Sequence, residues 1–350
     1  MRQSFGKIAD GREAGLFRIS AGRDLTAWVT DYGAALVRLI FKDKDGVYRD
    51  LVLGYDDAAS YERGTESFGG TVGRVANRIG QGRFSLGGRT WQLTTNNGPN
   101  TLHGGRDFYV HRLWELDSES DSSVSFRLDS PDGDQGFPGN VCIKLTYRVT
   151  EDDQLLIEYH AQSDADTPIN LTNHSYFNLG GHDSGSVLDQ IVSIQADSMT
   201  ETDHNSLPTG ELLDLEGTPM DFRQPKALGR DIREDYEPLH IGNGYDHNYV
   251  IGGYDCSGEN NVYREAASLY CKSTGIKMKV CTDLPGLQLY TANYVNEEPG
   301  KGGVVYQSRA AVCFETQFFP DAINHENFPG GLLKAGEEFV TRTGYRFSVE

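Results

Sequence analysis

The 350-residue sequence predicts an all-β protein, a large antiparallel β-sandwich with few short helices. Apolar and polar residues alternate with a period of two along several segments, as in strands that are buried on one face only. The 41 glycines are typical of a chain in which tight turns join many strands. Periodicity of 3.6 residues is nearly absent, and no alternation of strands with helices indicates a parallel sheet.

The predicted elements follow one another in chain order. Residues 56–61 could form one or two helical turns behind an aspartate cap. Residues 84–86 and 90–93 flank Gly87 and Gly88, and two glycines between two strand-like runs are a strong hairpin signal. Further strands are predicted wherever apolar residues alternate, at residues 141–149, 155–159 and 276–280.

Charge and composition narrow the classes of partner. The chain carries 32 Lys and Arg against 51 Asp and Glu, a net charge of −19. So acidic a chain is a poor ligand for nucleic acid or for an anionic membrane. A hydrophobic content of 37% is too high for a disordered protein. We therefore expect a small-molecule substrate, with no nucleic-acid partner and no membrane partner.

The termini, the absence of linkers and the cysteines indicate how many domains the chain forms and in which cellular compartment it is located. No segment has the apolar run of a signal peptide or of a membrane span, and no repeat or linker divides the chain. We expect a single β-sandwich domain over residues 1–350, located in the cytoplasm, as a monomer or homodimer. The five cysteines show no metal-ligand spacing. Cys271, Cys281 and Cys313 lie in alternating apolar stretches, so we expect them to be core residues and not a zinc site.

Four segments carry polar residues at positions where strand propensity alone would not place them. Residues 244–248, with the sequence Gly-Tyr-Asp-His-Asn, and residues 285–290 supply further candidates. The four segments are Gly73-Arg74-Val75-Ala76-Asn77-Arg78-Ile79, Asn96-Asn97-Gly98-Pro99-Asn100-Thr101-Leu102-His103-Gly104-Gly105, Asn170-Leu171-Thr172-Asn173-His174-Ser175-Tyr176-Phe177-Asn178-Leu179 and Cys313-Phe314-Glu315-Thr316-Gln317.

These segments, in this order, resemble the aldose 1-epimerase family, whose members are also called galactose mutarotases. The resemblance extends over nearly the whole chain, from residue 51 to residue 347, and residues 132–139 also fit the family pattern. The four segments together are far more specific than any one of them alone. One departure lies at residues 106–109, where the family usually has Gly-Phe-Asp before a Trp.

The resemblance implies a galactose mutarotase-like supersandwich and an isomerase that interconverts the α and β anomers of free hexoses such as galactose and glucose. It assigns Glu315 as the base and His174 as the acid. His103 either shares the acid side or polarises the ring oxygen. No cofactor and no metal are implied. The implied sugar-binding residues are Asn77, Arg78, Asp246 and Gln288.

The chemistry of that reaction agrees with these residue types. Opening a hemiacetal ring requires a base to take the proton of the C1 hydroxyl while an acid protonates the ring oxygen. Each positioned acid or base typically contributes about 10²–10⁴-fold, so a carboxylate and an imidazole suffice without metal or redox chemistry. Sugar hydroxyls both donate and accept hydrogen bonds, which suits carboxylate, amide and guanidinium groups.

The sequence also leaves other interpretations open. Taken singly, His103 and Asp246 are turn residues, His174 is a hydrogen-bonded sheet residue and Glu315 is a solvent-facing carboxylate. Arg78 either contacts the sugar or forms an ion pair with Glu315 or another carboxylate. The alternative functions are a hexose-6-phosphate 1-epimerase, a glycoside hydrolase with Asp246 and Glu315 as paired carboxylates, and a sugar-binding or sensor protein without catalysis.

Overall fold

Antiparallel pairing of strands organises the chain in the computed structural model, which describes residues 2–255 and 262–350. The expectation of an all-β fold is confirmed. One of the five cysteines, Cys256, lies outside the described residues. In chain order, the strands of the first half are β1 (Arg2–Lys7), β2 (Glu13–Ser20), β3 (Thr26–Thr30), β4 (Leu36–Lys42), β5 (Tyr48–Asp50), β6 (Thr71–Val72), β7 (Arg78–Ile79), β8 (Arg83–Leu86), β9 (Arg89–Gln92), β10 (Thr101–Leu102), β11 (Glu115–Glu119), β12 (Ser123–Ser130), β13 (Val141–Val149), β14 (Gln154–Ser163) and β15 (Thr167–Pro168).

The second half of the chain continues the pattern, with several two-residue strands between longer ones. Its strands are β16 (Thr172–Asn173), β17 (Tyr176–Phe177), β18 (Ile191–Ile194), β19 (Ala196–Thr202), β20 (Pro208–Asp214), β21 (Lys226–Ala227), β22 (Asp246–Ile251), β23 (Arg264–Cys271), β24 (Ile276–Thr282), β25 (Gly286–Tyr290), β26 (Glu298–Pro299), β27 (Val305–Tyr306), β28 (Val312–Gln317), β29 (Leu332–Leu333) and β30 (Glu338–Val349).

Two short α-helices occur within the described residues, and neither has the length or hydrophobicity needed to cross a membrane. α1 (Ala58–Arg63) begins after Asp57, whose side chain accepts a 2.7 Å hydrogen bond from the backbone N–H of Ser60. The helix predicted at residues 56–61 is thus confirmed, with bounds two residues later because Asp57 is the cap. α2 (Glu237–Ile241) is not predicted from the sequence, since five residues are too few to show a helical period.

Two large sheets form the sandwich. The nine-stranded sheet has the order β11-β12-β13-β14-β30-β24-β23-β18-β21, and the six-stranded sheet has the order β17-β28-β25-β22-β19-β20. Strands β1 to β5 form a third sheet in sequence order. This third sheet shares the main hydrophobic cluster with the other two, and the ring of Phe17 on β2 lies 5.3 Å from the ring of Phe126 on β12.

The core lies where the two large sheets contact each other. Along β13 the odd-numbered residues from Val141 to Val149 are buried, whereas the residues between them are more exposed. The Tyr345 hydroxyl of β30 donates to the Phe314 carbonyl oxygen of β28 at 2.9 Å, and the Tyr345 ring lies 4.7 Å from the Phe177 ring. The predicted antiparallel sandwich is therefore confirmed, and one face of the six-stranded sheet is covered by the nine-stranded sheet.

Strands β8 and β9 form the predicted hairpin. Leu86 pairs with Arg89 across a two-residue loop, and Gly87 and Gly88 have φ values of 62° and 75°. Left-handed values at both central residues are the requirement of a hairpin turn whose twist matches its strands, and glycine meets it without steric cost. The sequence signal and the observed turn have the same physical origin.

The cysteine prediction is correct for two residues and only partly correct for the third. Cys271 and Cys313 are buried, as predicted, whereas Cys281 is partly exposed. Along β24 the buried residues alternate with partly exposed ones, and Cys281 falls on the same face as Lys277 and Lys279. The alternation that identified the strand therefore also places Cys281 on its wetter side.

A buried lysine ties the N-terminal sheet to a loop near the C-terminus. The side chain of Lys301 is 2% exposed, and its ammonium group donates to the carbonyl oxygens of Val37 and Val52 at 2.8 and 2.7 Å. It also forms a 2.7 Å ion pair with Asp50. These three partners satisfy the three ammonium donors at a place that water barely reaches.

We predict that Lys301→Met lowers the free energy of unfolding by about 3–5 kcal/mol, because it leaves the Asp50 carboxylate, which is only 12% exposed, without its cation. Urea unfolding at neutral pH measures the change. Lys334→Met is the control, since Lys334 pairs with Asp166 at 3.2 Å through side chains that are 52% and 41% exposed. Such a surface pair contributes at most about 1 kcal/mol. Equal losses in the two variants would contradict the role assigned to burial.

Candidate active site

A cavity of about 430 Å³ lies over the open face of the six-stranded sheet. Every residue for which the sequence suggests a catalytic or binding role lines this cavity. The structure therefore brings together side chains that are separated by more than 200 positions in the chain. These residues are Asn77, Arg78, His103, His174, Asp246, Gln288 and Glu315.

Three neighbouring strands of the six-stranded sheet supply three of these side chains. Gln288 on β25 pairs in register with Glu315 on β28 and, on its other side, with Asn248 on β22. Directly paired residues point to the same face of a sheet, and so do residues two apart on one strand. Asp246 thus shares the face of Gln288, whose Nε2 donates to Asp246 Oδ1 at 2.7 Å.

A buried amide fixes the orientation of Gln288. Gln317, two residues after Glu315 on β28, donates from Nε2 to Gln288 Oε1 at 3.2 Å and to Asn248 Oδ1 at 3.0 Å. The oxygen of Gln288 is thereby held by a donor, which directs its nitrogen to the Asp246 carboxylate. This row of amides keeps a hydrogen-bond donor beside Asp246.

His174 stands next to Glu315 and is held from several sides. Pairing of β16 with β6 ends at Asn173, and the backbone N–H of His174 then donates to the Gly70 carbonyl oxygen at 2.9 Å. The ring of Tyr176 stacks on the imidazole at 4.9 Å, with the planes 15° apart. His174 Nε2 lies 3.6 Å from Glu315 Oε1, and the two side chains are 8% and 3% exposed. The imidazole and the carboxylate form a buried, preorganised pair.

His103 and Asn77 are held by each other's backbones. The N–H of His103 donates to the Asn77 carbonyl oxygen at 3.0 Å, and the N–H of Asn77 donates to His103 Nδ1 at 3.2 Å. Because Nδ1 accepts, the proton of the neutral ring is on Nε2. Asn77 and His103 have left-handed φ values of 62° and 54°, respectively, of the kind found at functional sites. The next residue, Gly104, has to be a glycine, because a Cβ at this position would lie 2.2 Å from the Gly73 carbonyl oxygen.

The sequence does not decide what Arg78 contacts. In the structure, the guanidinium group of Arg78 donates hydrogen bonds to two side-chain amides. Its Nε donates to Asn97 Oδ1 at 3.2 Å, and its Nη1 donates to Asn77 Oδ1 at 3.4 Å. Its positive charge acts on Asp246, where it opposes the effect of burial and lowers the pKa. The suggested contact ion pair between Arg78 and Glu315 does not form among the described residues.

Burial disfavours the ionised forms of the two carboxyl groups. Burial raises the pKa of Glu315 well above its ordinary value, and the charge of Asp246 adds to the rise. Burial also raises the pKa of Asp246, while the charge of Arg78 and the hydrogen bond from Gln288 oppose this rise. A carboxyl group with a raised pKa inside a cavity is a candidate proton acceptor near neutral pH.

Burial also disfavours the charged forms of the two imidazoles. It lowers the pKa of His174 to about 4. Burial, together with the charges of His174 and Arg78, lowers the pKa of His103 well below its ordinary value. A lone charge on Glu315 or on His174 is unfavourable here, whereas opposite charges on the two neighbours stabilise each other. We therefore describe Glu315 and His174 as a coupled pair that shares one proton.

The cavity wall also contains residues to which the sequence assigns no role, among them two tyrosines of the candidate segments and two residues outside those segments. Tyr176 and Tyr290 each lie two residues after a predicted site residue on an alternating segment, so the period of two could have indicated them. Glu66 and Tyr294 lie in irregular segments that carry no periodic signal. The Tyr176 hydroxyl donates to Glu66 Oε2 at 3.1 Å, so the ring that stacks on the His174 imidazole is itself held in place.

Two other polar residues of the candidate segments are structural. Arg74 is 1% exposed and donates to the backbone and side-chain oxygens of Ser130 at 3.3 and 2.7 Å. The first segment thus contains one arginine that braces a loop and one, Arg78, that lines the cavity. His247 is buried, and its Nδ1 accepts from the backbone N–H of Asp246 at 3.1 Å.

The arrangement can move protons between two oxygens that are bonded to the same carbon. Glu315 Oε1 and His174 Nε2 are near enough for each to contact one of two such oxygens. Around them, carboxylate, amide and guanidinium groups offer both donors and acceptors. A small ligand with several hydroxyl groups meets these requirements.

Known sequences place the chain among proteins of one family. The sequence profile of the family described as aldose 1-epimerase matches residues 15–346. A protein of Bos taurus named galactose mutarotase is 39% identical over 327 residues, which cover 93% of this chain and 91% of that protein. A protein of Escherichia coli K12 named aldose 1-epimerase is 33% identical over 343 residues, which cover 97% of each chain.

Solved structures agree with the sequence comparisons. An aldose epimerase homologue from C. elegans superposes with a TM-score of 0.88 at 34% identity, covering 96% of this chain and 99% of that one. A galactose 1-epimerase from Lactobacillus acidophilus NCFM has a TM-score of 0.85 at 26% identity, covering 100% and 99%. The matched residues 15–346 include both large sheets, apart from the last residues of β30, and every residue that lines the cavity, and the chain belongs to the aldose 1-epimerase family.

Proposed function

We propose that this protein is an aldose 1-epimerase that interconverts the α and β anomers of free hexoses such as galactose and glucose. The observation that carries the proposal is the 3.6 Å approach of the Glu315 carboxylate to the His174 imidazole in a cavity lined by polar groups. The relatives named galactose mutarotase and aldose 1-epimerase support the same reaction.

In this mechanism Glu315 is the base and His174 is the acid. With the shared proton on His174, the ionised Glu315 takes the proton of the C1 hydroxyl while His174 Nε2 donates its proton to the ring oxygen. The bond between C1 and the ring oxygen breaks, and C1 becomes an aldehyde carbon. After rotation about the C1–C2 bond, the C5 hydroxyl returns its proton to His174 and attacks the other face of C1. Glu315 returns its proton to the carbonyl oxygen.

The other cavity residues hold the sugar in place. Asp246 accepts hydrogen bonds from sugar hydroxyls, and its carboxylate is oriented by Gln288. Arg78 and Asn77 lie side by side and offer a donor and an acceptor. His103 carries its proton on Nε2 and assists on the acid side as a donor to the ring oxygen.

A hexose 6-phosphate is a poorer substrate on electrostatic grounds. Among the described residues that line the cavity, Arg78 is the one side chain with a permanent positive charge, while Glu66, Asp246 and Glu315 are acidic. A phosphate group would add about −1.5 to −2 charge. Since like charges repel more strongly where water is scarce, the cavity favours an uncharged sugar.

We further propose that residues 1–350 form one domain in the cytoplasm, as a monomer or homodimer. The main hydrophobic cluster contains side chains from Phe17 to Phe347, so both ends of the chain contribute to one core. Cys142, Cys271, Cys281 and Cys313 are free thiols, which is typical of proteins in a reducing compartment.

Polarimetry on freshly dissolved α-galactose and α-glucose tests the proposed reaction. We predict a faster approach to anomeric equilibrium in buffer that contains EDTA, because the acid and the base are both side chains of the protein. Failure to accelerate either sugar would contradict the activity. Loss of activity in EDTA, with recovery on adding a divalent metal, would contradict the roles of Glu315 and His174.

A second prediction separates binding from catalysis at Glu315. Glu315→Gln keeps the shape and the hydrogen-bonding capacity of the side chain but cannot accept the C1 proton. Its Kd for galactose, from calorimetric titration, should stay within about tenfold of wild type, a difference under about 1.4 kcal/mol. Its mutarotation rate should fall by at least about 10²-fold. A near-normal rate would make Asp246 the candidate base, and loss of binding would leave Glu315 a binding residue.

The alkaline side of the pH profile should report the raised pKa of Glu315. The mechanism requires the pair of Glu315 and His174 to hold one proton, so kcat is expected to fall as the pH rises through a value well above the ordinary glutamate pKa, where the pair loses that proton. Asp246→Asn removes a negative charge that raises this pKa, so the fall in kcat should move to lower pH. Polarimetry at saturating sugar measures both profiles. If kcat falls at the same pH in Asp246→Asn as in wild type, the two carboxyl groups do not interact.

A further inference from the structure

Three side chains of the kinds that bind metals meet beside the cavity. His174, Cys313 and Glu315 each offer one ligand atom, and these atoms lie within 4.8 Å of one another. All three residues are buried. The proposed reaction uses the imidazole and the carboxylate, and it leaves the thiol without a role.

The sheet explains why the thiol lies beside the acid–base pair. Cys313 and Glu315 are two residues apart on β28, so their side chains point to the same face. Cys313 pairs in register with Tyr176 on β17, and the Tyr176 ring stacks on His174. Pairing and stacking together bring the imidazole over the strand that carries the other two groups.

The three groups are of the kinds that bind zinc, and the imidazole and the carboxylate are spaced as two zinc ligands are. Zn²⁺ binds imidazole nitrogen, thiolate sulfur and carboxylate oxygen at about 2.0–2.3 Å, usually in a tetrahedron. Such bonds place neighbouring ligand atoms roughly 3.3–3.8 Å apart. The 3.6 Å between His174 Nε2 and Glu315 Oε1 lies within this range. His174 and Glu315 also line the cavity, which gives an ion a path to the site.

We propose that His174, Cys313 and Glu315 form a binding site for a thiophilic divalent cation, Zn²⁺ or Cd²⁺, and that the bound ion inhibits the enzyme. Coordination occupies the lone pairs of Glu315 and of His174 Nε2, so the proton that these two groups share leaves to solvent, and the proton of the Cys313 thiol leaves with it as the thiolate binds. An occupied site has neither a base for the C1 hydroxyl nor an acid for the ring oxygen. The inhibition rests on the proposed function, whereas the binding does not.

Inhibition is measured by polarimetry during titration with Zn²⁺ or Cd²⁺. Wild type should lose activity and should recover it when EDTA is added. Cys313→Ala should keep the basal rate, since the thiol has no part in the reaction. The metal concentration for half-inhibition should rise at least tenfold, because even the loss of an outer-shell partner weakens metal binding about 10–100-fold. Cys313→Ser serves as a second variant that preserves side-chain volume.

Cys142→Ala is the matched control. Cys142 is an exposed thiol on β13, so its removal tests adventitious metal binding at the surface. This variant should be inhibited like wild type. Equal sensitivity of wild type and Cys313→Ala would overturn the three-ligand site, and so would an absence of inhibition in wild type.

Binding is measured separately with Co²⁺ as a spectroscopic probe. Wild type should show a thiolate-to-Co²⁺ charge-transfer band that is lost in Cys313→Ala and kept in Cys142→Ala. Retention of the band in Cys313→Ala, or its absence in wild type, would overturn the site. A band that depends on Cys313 in a protein without mutarotase activity would uphold the metal site and refute the proposed function.

Discussion

The two-faced six-stranded sheet is the constraint on which the site depends. Along β28, Phe314 belongs to the core between the large sheets, so its neighbours Cys313 and Glu315 must point to the opposite face. Every residue of β28 is buried, which carries a carboxyl group to a place with little water. The raised pKa of Glu315 follows from the position of its strand in the sheet, with the charge of Asp246 as a second cause.

Short strand pairs fix the polar loops around that sheet. β7 pairs with β10, β6 pairs with β16, and β17 pairs with β28, so each of the four candidate segments is bonded to another. These pairs hold Asn77 and His103 in left-handed conformations that an isolated loop would rarely adopt. The backbone bears this strain because the neighbouring strands leave it few alternatives, and the result is a rigid set of hydrogen-bonding groups.

The same burial that suits the site for proton transfer also suits it for a metal. Glu315 and His174 are unfavourable as isolated charges, so they act as a pair with one proton. A cation beside them removes the penalty on the carboxylate, and the thiol of Cys313 adds a soft ligand to the imidazole and the carboxylate. A sugar would compete with such an ion only through hydrogen bonds, which are weaker than metal–ligand bonds. Catalysis in the proposed mechanism therefore requires that no such ion occupies His174, Cys313 and Glu315.

The sequence by itself determined the fold class and the hairpin at Gly87 and Gly88, because alternation and turn chemistry are local properties. The family and seven residues of the cavity were indicated by the polar segments and their order, through the resemblance to known proteins. It did not determine the neighbours of Arg78 or the place of Glu66 in the wall. It also gave no sign that Cys313 would lie beside His174, since 139 positions separate them in the chain. Those contacts depend on which strands pair with each other and which side chains then stack. Strand pairing joins residues that are distant in the chain, so a local sequence pattern does not specify it.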